Sequence, residues 1–239
     1  LRTENNLLKA LKFYKKAYSL DLGKEDIELL MDMALLYDEI GSKSEAEEKY
    51  HEILKLDEEE AIAYYGLAIL YDESNELEKA KEFYKKAIEK NPNYDKAYFF
   101  LANIYDEQGN KDKAIHNYKK TIDINPKDLW ANANLACIFE ELNRNEEALK
   151  YIDKALEISP KHYKILFNKG VILNKLNNIE ESKEYYKKSI IENPKYPYSF
   201  LNLAVMFREE GNFNKAIEII SEGVRENEEQ GFLYYNRAC

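Results

Sequence analysis

The chain has 239 residues, of which 45% are hydrophobic and 33% are charged, and its formal net charge is −10. A chain of this length and composition can bury a sizeable core, but its acidic balance argues against a nucleic-acid backbone as the main ligand, because such binding requires Lys and Arg to neutralise phosphates. No stretch approaches the roughly 18 apolar residues of a membrane span, which disfavours a membrane role.

The predicted helices follow one another in pairs along the chain. A lone helix at residues 5–20 comes first, and six pairs follow at residues 27–60, 61–94, 95–128, 129–162, 163–196 and 197–230. Residues 231–239 begin a further pair. Because the first residue is Leu1 and the helical pattern starts at once, we expect the chain to be a fragment of a longer protein.

Each first helix is predicted to end at a residue type that tolerates the left-handed backbone conformation of a helix C-terminus. These residues are Gly41, Asn75, Gly109, Asn143, Asn177 and Gly211. In four of the six pairs, the second helix then runs to a proline, at Pro92, Pro126, Pro160 and Pro194.

Residue types recur with a period of 34. Small residues form one series at Ala34, Ala68, Ala102, Ala136, Gly170 and Ala204, and another at Ala46, Ala80, Ala114, Ala148, Ser182 and Ala216. Two antiparallel helices approach closely only where neither carries a bulky side chain, so we expect the two series to meet, for example at Ala102 and Ala114.

This pattern resembles the tetratricopeptide repeat, in which an aromatic residue, Leu, a small residue and Tyr are followed by Ala, an aromatic residue and Pro. The matching residues in one unit are Tyr98, Leu101, Ala102, Tyr105, Ala114, Tyr118 and Pro126. Lys169 departs from the pattern where Leu is usual. The resemblance implies an all-α fold, a right-handed α-α superhelix of antiparallel helix pairs, as a single array over residues 1–239 with a concave inner wall.

The resemblance further implies that the first helix of each pair lines that wall. Asparagines occupy its sixth position at Asn134, Asn168, Asn202 and Asn236, and Asn103 lies at a ninth position. A carboxamide both donates and accepts, so the row could grip the backbone of an extended peptide in a sequence-tolerant way. The alternative is a solvated row in a chain that is rich in Asn throughout.

Aromatic residues accompany this row at second and fifth positions: Tyr65, Phe99, Trp130, Phe167 and Tyr198. Exposed aromatic side chains in a groove can anchor a ligand. The alternative is that they only pad the contact between neighbouring units.

Acidic residues repeat at the twelfth position, at Asp38, Asp72, Asp106 and Glu140, each followed by Glu. Such an acidic groove edge would speed the docking of a partner segment that carries basic residues. The alternative is a solvated helix face.

In chaperone-binding relatives, Lys, Arg and Asn side chains clamp a C-terminal carboxylate. The corresponding residues here are Phe99, Asn103, Asn134, Lys164 and Asn168, so two of the three cations are missing. Capture of a chaperone tail is therefore disfavoured, and a weaker carboxylate contact at Lys164 remains.

Catalytic or metal chemistry has no candidate constellation in the sequence. The histidines His51, His116 and His162 fall at different positions of different units, and no catalytic motif or phosphate loop occurs. Cys137 could be a reactive thiol, but a lone Cys beside apolar residues more often packs as a small hydrophobe. We expect no catalytic site, metal or cofactor, and the lack of a disulfide framework between Cys137 and Cys239 predicts a cytoplasmic protein.

The sequence therefore predicts a scaffold or adaptor that binds an extended or helical segment of a partner protein in its concave groove, and not an enzyme. One alternative is a structural spacer that self-associates end to end through apolar residues such as Leu7, Leu8, Leu11, Phe232 and Leu233. Another is the substrate-recruiting arm of a larger enzyme.

Overall fold

The computed structural model describes residues 4–20 and 24–227, and thirteen α-helices lie in this part of the chain. They are α1 (Glu4–Tyr18), α2 (Ile27–Glu39), α3 (Lys43–Leu56), α4 (Ala61–Glu73), α5 (Leu77–Lys90), α6 (Asp95–Glu107), α7 (Lys111–Ile124), α8 (Leu129–Glu141), α9 (Asn145–Ile158), α10 (Tyr163–Lys175), α11 (Ile179–Glu192), α12 (Pro197–Glu209) and α13 (Phe213–Glu226). Asn236, Phe232 and Leu233 lie outside the described residues.

The helices belong to two compact units. Unit 1, Leu1–Ile124, contains α1 to α7, and unit 2, Asn125–Cys239, contains α8 to α13. Within each unit, every first helix packs most extensively against the second helix of its own pair and then against the adjacent pair. Each pair thus buries its apolar side chains by stacking on its neighbours, as expected for a repeat architecture.

The turn inside each pair has the predicted left-handed residue. The backbone angle φ is +78° at Gly41, +73° at Gly109 and +78° at Gly211, and it is also positive at the three asparagines Asn75, Asn143 and Asn177. The amide after the left-handed residue donates to a carbonyl five residues earlier, as from Asn110 N to Tyr105 O at 2.8 Å. This Schellman arrangement ends the first helix and reverses the chain into the second.

The two helices of a pair meet at the small residues. Ala102 and Ala114 are both fully buried. In the equivalent pair of unit 2, the Ser182 hydroxyl donates to the carbonyl of Gly170 at 2.7 Å, and a Cβ on Gly170 would lie 2.7 Å from Tyr186 Cε1. A larger side chain at the crossing would therefore push the helices apart.

The N-terminal helix corrects one expectation. Leu7 and Leu11 are buried in the core of unit 1, although the sequence suggested an exposed apolar end. Leu8 and Phe13, on the other side of α1, are exposed. The helical period explains the difference, because Leu7 and Leu11 are four residues apart and share the face that packs on α2.

Candidate peptide-binding surface

The described members of the asparagine row, Asn134, Asn168 and Asn202, lie half-buried on α8, α10 and α12 of unit 2. Asn168 Nδ2 donates to Cys137 Sγ at 3.2 Å, and Asn202 Nδ2 donates to the Tyr186 hydroxyl oxygen at 3.3 Å. In unit 1, Asn103 Oδ1 accepts a hydrogen bond from the hydroxyl of Tyr118. Several of these carboxamides are therefore held in place by contacts inside the protein.

In several pairs, the residue at the sixth position of the first helix lies next to a tyrosine on the second helix of the preceding pair, as at Asp32, Gly66 and Phe100. The Tyr14 hydroxyl donates to Asp32 Oδ2 at 3.0 Å in unit 1, and the Tyr84 and Phe100 rings are nearly parallel, with centroids 6.1 Å apart. At Gly66, an added Cβ would overlap the ring of Tyr50.

The same relation joins Tyr186 to Asn202 in unit 2. Ile152 stands at the tyrosine position in the pair before Asn168, and an apolar side chain cannot hydrogen-bond an amide. Asn168 uses Cys137 as its partner instead. The hydrogen-bond partner of each of these two asparagines is thus set by the residues of the preceding pair that lie next to it.

Two predicted anchor residues of unit 2 are about half exposed. Trp130 keeps 48% and Tyr198 keeps 49% of its surface accessible, whereas Phe167 is half-buried. Exposed aromatic side chains on a polar surface can anchor a protein ligand.

Unit 2 also places three rings between these anchors that the sequence analysis missed: His162, Tyr163 and Tyr196. Their ring centroids link Trp130 to Tyr198 through successive contacts of 5.2, 5.6, 5.1 and 5.3 Å, and Phe167 joins the Tyr196 ring at 5.3 Å. We call the set Trp130, His162, Tyr163, Phe167, Tyr196 and Tyr198 the aromatic ladder. His162 and Tyr196 are the N-cap residues of α10 and α12 and lie 34 residues apart, so the repeat period was the signal that could have revealed them.

The two anchors predicted in unit 1 are less available. The Tyr65 ring lies 4.8 Å from that of Tyr94, and the Phe99 ring lies 5.3 Å from Phe100 and 5.8 Å from Tyr118. Burial, with a smaller contribution from Asp95, raises the pKa of Tyr65 to about 12. Tyr65 and Phe99 therefore take part in an internal aromatic cluster.

The twelfth-position acids are also engaged within their units. Burial raises the pKa of Asp38 and of Asp72, and Asp72 Oδ2 accepts a hydrogen bond from Tyr84 at 3.1 Å. Asp106 forms a salt bridge with Lys111 at 2.7 Å, and Glu140 forms one with Lys175. The exposed carboxylates of this edge are instead at the thirteenth position, as at Glu73 and Glu107.

The remaining predicted contact residue, Lys164, is exposed on α10. Cys137 on α8 is half-buried and lies beside Asn168, at the edge of the asparagine row. Within the described residues, His, Cys, Asp and Glu side chains form no group of three or more that could hold a metal ion.

None of the described helices combines the length and the apolar character needed to cross a membrane. This finding concerns residues 4–20 and 24–227 alone.

Comparisons with known proteins agree with this architecture. Two family models, each described as the tetratricopeptide repeat, match residues 61–94 and 95–128 and residues 131–162 and 163–196. A search of curated proteins found no match.

Several solved structures resemble the chain. A crystal structure of MamA is 34% identical and covers 68% of this chain and 94% of its own, with a TM-score of 0.59. YrrB, described as a tetratricopeptide repeat protein with an unusual peptide-binding site, is 22% identical and covers 80% and 98%, with a TM-score of 0.69. The C-terminal part of a tetratricopeptide repeat protein from Cytophaga hutchinsonii is 15% identical and covers 97% and 95%, with a TM-score of 0.79.

The predicted all-α solenoid of antiparallel helix pairs is thereby confirmed. The repeat matches cover more than half of the chain, and the MamA likeness covers over two thirds of it. The chain belongs to the tetratricopeptide repeat family.

Proposed function

We propose that this protein is a scaffold that binds an extended segment of a partner protein on the surface of unit 2 formed by the asparagine row and the aromatic ladder. The observation that carries the proposal is the placement of Asn134, Asn168 and Asn202 at one register of three successive first helices. Trp130 and Tyr198, both about half exposed, lie at second positions of two of those helices. YrrB, a solved structure with this fold, is itself described as having a peptide-binding site.

The asparagines would supply backbone recognition. Each carboxamide can donate to a peptide C=O and accept from a peptide N–H, so it grips the main chain without selecting a side chain. Asn168 and Asn202 already direct Nδ2 towards Cys137 and Tyr186, which holds the side chains in place before a ligand arrives. Such preorganisation lowers the entropy lost on binding.

The aromatic ladder would supply apolar contact area beside this polar row. Tryptophan and tyrosine dominate binding energy in many protein interfaces, because they bury large areas with few rotatable bonds. On unit 1, the exposed carboxylates of Glu73, which pairs with Lys43 at 3.0 Å, and of Glu107 could separately contact a basic segment. The preference for such residues is secondary, since the twelfth-position acids are engaged internally.

The test is an affinity purification from the source-cell lysate with wild type and with the triple variant Asn134→Ala, Asn168→Ala and Asn202→Ala. Asn214→Ala, which changes an exposed asparagine of α13, is the control. A partner retained by wild type should bind the triple variant at least about tenfold more weakly, because three hydrogen-bonding groups worth about 0.5–1.5 kcal/mol each are removed.

Circular dichroism should show unchanged helicity for all of these variants. Equal retention of the same partners by wild type and the triple variant would overturn the proposal. It would favour contacts on other surfaces, as in a spacer.

A further inference from the structure

The residue at the twenty-third position of the repeat lies on the second helix and differs from pair to pair: it is Lys49, Phe83 and Asn117 in unit 1. Between α3 and α5, this position holds Phe83, whose ring stacks on Tyr71 at 5.4 Å between centroids and lies 6.4 Å from the rings of Tyr64 and His51. The phenyl ring therefore fills the furrow between the two second helices.

The equivalent furrow in unit 2 is also filled by an aromatic side chain. Between α9 and α11, the twenty-third residue is Tyr185, and its hydroxyl accepts a hydrogen bond from Lys169 at 2.8 Å. Lys169 in turn forms a salt bridge with Asp153 at 2.8 Å. In the last pair the position holds Ile219, which is buried.

Between α5 and α7, the twenty-third residue is Asn117, which is too short to fill this furrow. Its side chain is tied to its own helix, since Nδ2 donates to the carbonyl of Lys113 at 2.8 Å. A cleft of 370 Å³ remains open above it, with Ile88, Tyr98, Leu101 and Tyr105 among its apolar lining residues. This volume exceeds that of a single aromatic side chain.

The rim of this cleft is basic, in a chain with a formal net charge of −10. Lys85, Lys113 and His116 line it, and Asp112 is the one acidic residue among the described residues of the lining. Nearby lysines are neutralised, as in the salt bridges of Lys81 with Glu78 and of Lys86 with Glu82.

Lys85 and Lys113 differ from those lysines, because neither forms a salt bridge within the residues that the structure describes. Lys113 Nζ instead lies 5.2 Å from the centroid of the Tyr105 ring, on the wall of the cleft. The charge of Lys85 contributes to lowering the pKa of Glu78, although the two residues form no salt bridge within the described part of the chain. Two ammonium groups thus lie beside an aromatic-lined cavity.

We propose that this cleft is a second docking site, which takes an aromatic side chain of a partner protein flanked by acidic residues. The ring would occupy the place that Phe83 and Tyr185 fill in two other furrows, stacked against Tyr105 and over Leu101. The flanking carboxylates would form charge-assisted contacts with Lys85 and Lys113. The site lies between the second helices α5 and α7, over α6 of unit 1, whereas the described asparagine row belongs to unit 2.

Asn117→Phe is the decisive variant, because it places in the cleft the same ring that position 83 supplies in the preceding pair. Lys120→Phe adds the same ring to an exposed position of α7 that does not line the cleft. A third variant, Lys85→Glu with Lys113→Glu, keeps the apolar cavity and reverses the charge of its rim. Thermal melts followed by circular dichroism check that all three variants keep the helical fold.

The probe is a phage-displayed library of random linear peptides, selected on wild type and depleted on Asn117→Phe. We expect the enriched peptides to carry an aromatic residue next to Asp or Glu. A synthetic copy of an enriched peptide should bind Asn117→Phe and the rim-reversed variant at least about tenfold more weakly, and Lys120→Phe as well as wild type.

The proposal fails if no peptide is enriched on wild type over Asn117→Phe, or if the enriched peptides lack the acidic and aromatic pattern. It also fails if sedimentation shows a concentration-dependent dimer of wild type that Asn117→Phe abolishes. That result would identify a second copy of this chain as the occupant.

Discussion

Lys169 Nζ lies 2.8 Å from Asp153 Oδ1 on the preceding pair and 2.8 Å from the Tyr185 hydroxyl on its own pair. Leucine occupies this register in other pairs, at Leu67, Leu101, Leu135 and Leu203. Burial alone would lower the pKa of Lys169, but the hydrogen bonds to Asp153 and Tyr185 outweigh it and raise the pKa. An ammonium group thus replaces an apolar contact between two repeats.

Removing the counter-ion Asp153 should lower the free energy of unfolding more than replacing Lys169 itself by an apolar residue. Asp153→Ala leaves Lys169, with a side chain only 11% exposed, without its counter-ion, and we expect a loss of about 1–3 kcal/mol of unfolding free energy. Lys169→Leu should change stability by less than about 1 kcal/mol, because Asp153 is 45% exposed and regains water. Urea denaturation of both variants measures the difference, and a larger loss for Lys169→Leu would contradict this account.

The half-buried carboxylate of Asp72 should make the free energy of unfolding depend on pH in a particular direction. Burial raises its pKa, and the nearby Glu107 and Glu73 add to this, although the bond from Tyr84 lowers it. A carboxyl whose pKa is higher in the folded than in the unfolded state destabilises the fold when ionised. That cost is present above the folded-state pKa and disappears as the pH falls through it.

Asp72→Asn should therefore be more stable than wild type at pH 7, because the amide oxygen can still accept from Tyr84 and carries no charge. The gain should shrink as the pH falls through the raised pKa of Asp72, because the wild-type carboxyl then becomes protonated in the folded state. Glu39→Gln, an exposed acid at the thirteenth position, is the control and should show no comparable gain. Urea midpoints at several pH values test this, and a gain that persists at low pH would assign the effect to another cause.

Gly66 should resist substitution although it lies in the middle of α4. Alanine is favoured over glycine in a helix by about 1 kcal/mol, but a Cβ here would overlap the ring of Tyr50, which is 2% exposed. We expect Gly66→Ala to lower the unfolding free energy by about 1–3 kcal/mol through overpacking. A double-mutant cycle with Tyr50→Leu should show strong coupling, whereas additive effects would mean that the ring moves aside freely.

Much of the fold is predictable from the sequence, because it is set by local chemistry that repeats. The left-handed turns at Gly41 and Asn75, for example, follow from residue type alone. The burial of Ala102 and Ala114 likewise follows from the spacing of small residues.

The candidate sites were less predictable, because they depend on residues from different repeats. Whether an asparagine of the row meets a hydroxyl or a thiol depends on the preceding pair: Tyr186 on its second helix contacts Asn202, and Cys137 on its first helix contacts Asn168. Asp72 looks like a surface acid in the sequence, and only the packing of Tyr84 against it reveals its internal role. The cleft above Asn117 exists because a short side chain stands where Phe83 and Tyr185 stand in other pairs. A short polar residue on a helix gives no signal of a cavity in the sequence.

The last prediction concerns how far damage spreads along the repeats. Ala114 is fully buried where α6 and α7 cross, so Ala114→Leu should overpack the crossing and cost about 1–3 kcal/mol. In a repeat architecture, stability is a sum of repeat and nearest-neighbour terms, so the loss should stay near the altered pair. Native-state hydrogen exchange should then show weaker protection in α6 and α7, with that of α2 and α12 unchanged. Equal loss of protection in α2, α7 and α12 would mean that the chain unfolds as one cooperative whole, and the nearest-neighbour description would have to be abandoned.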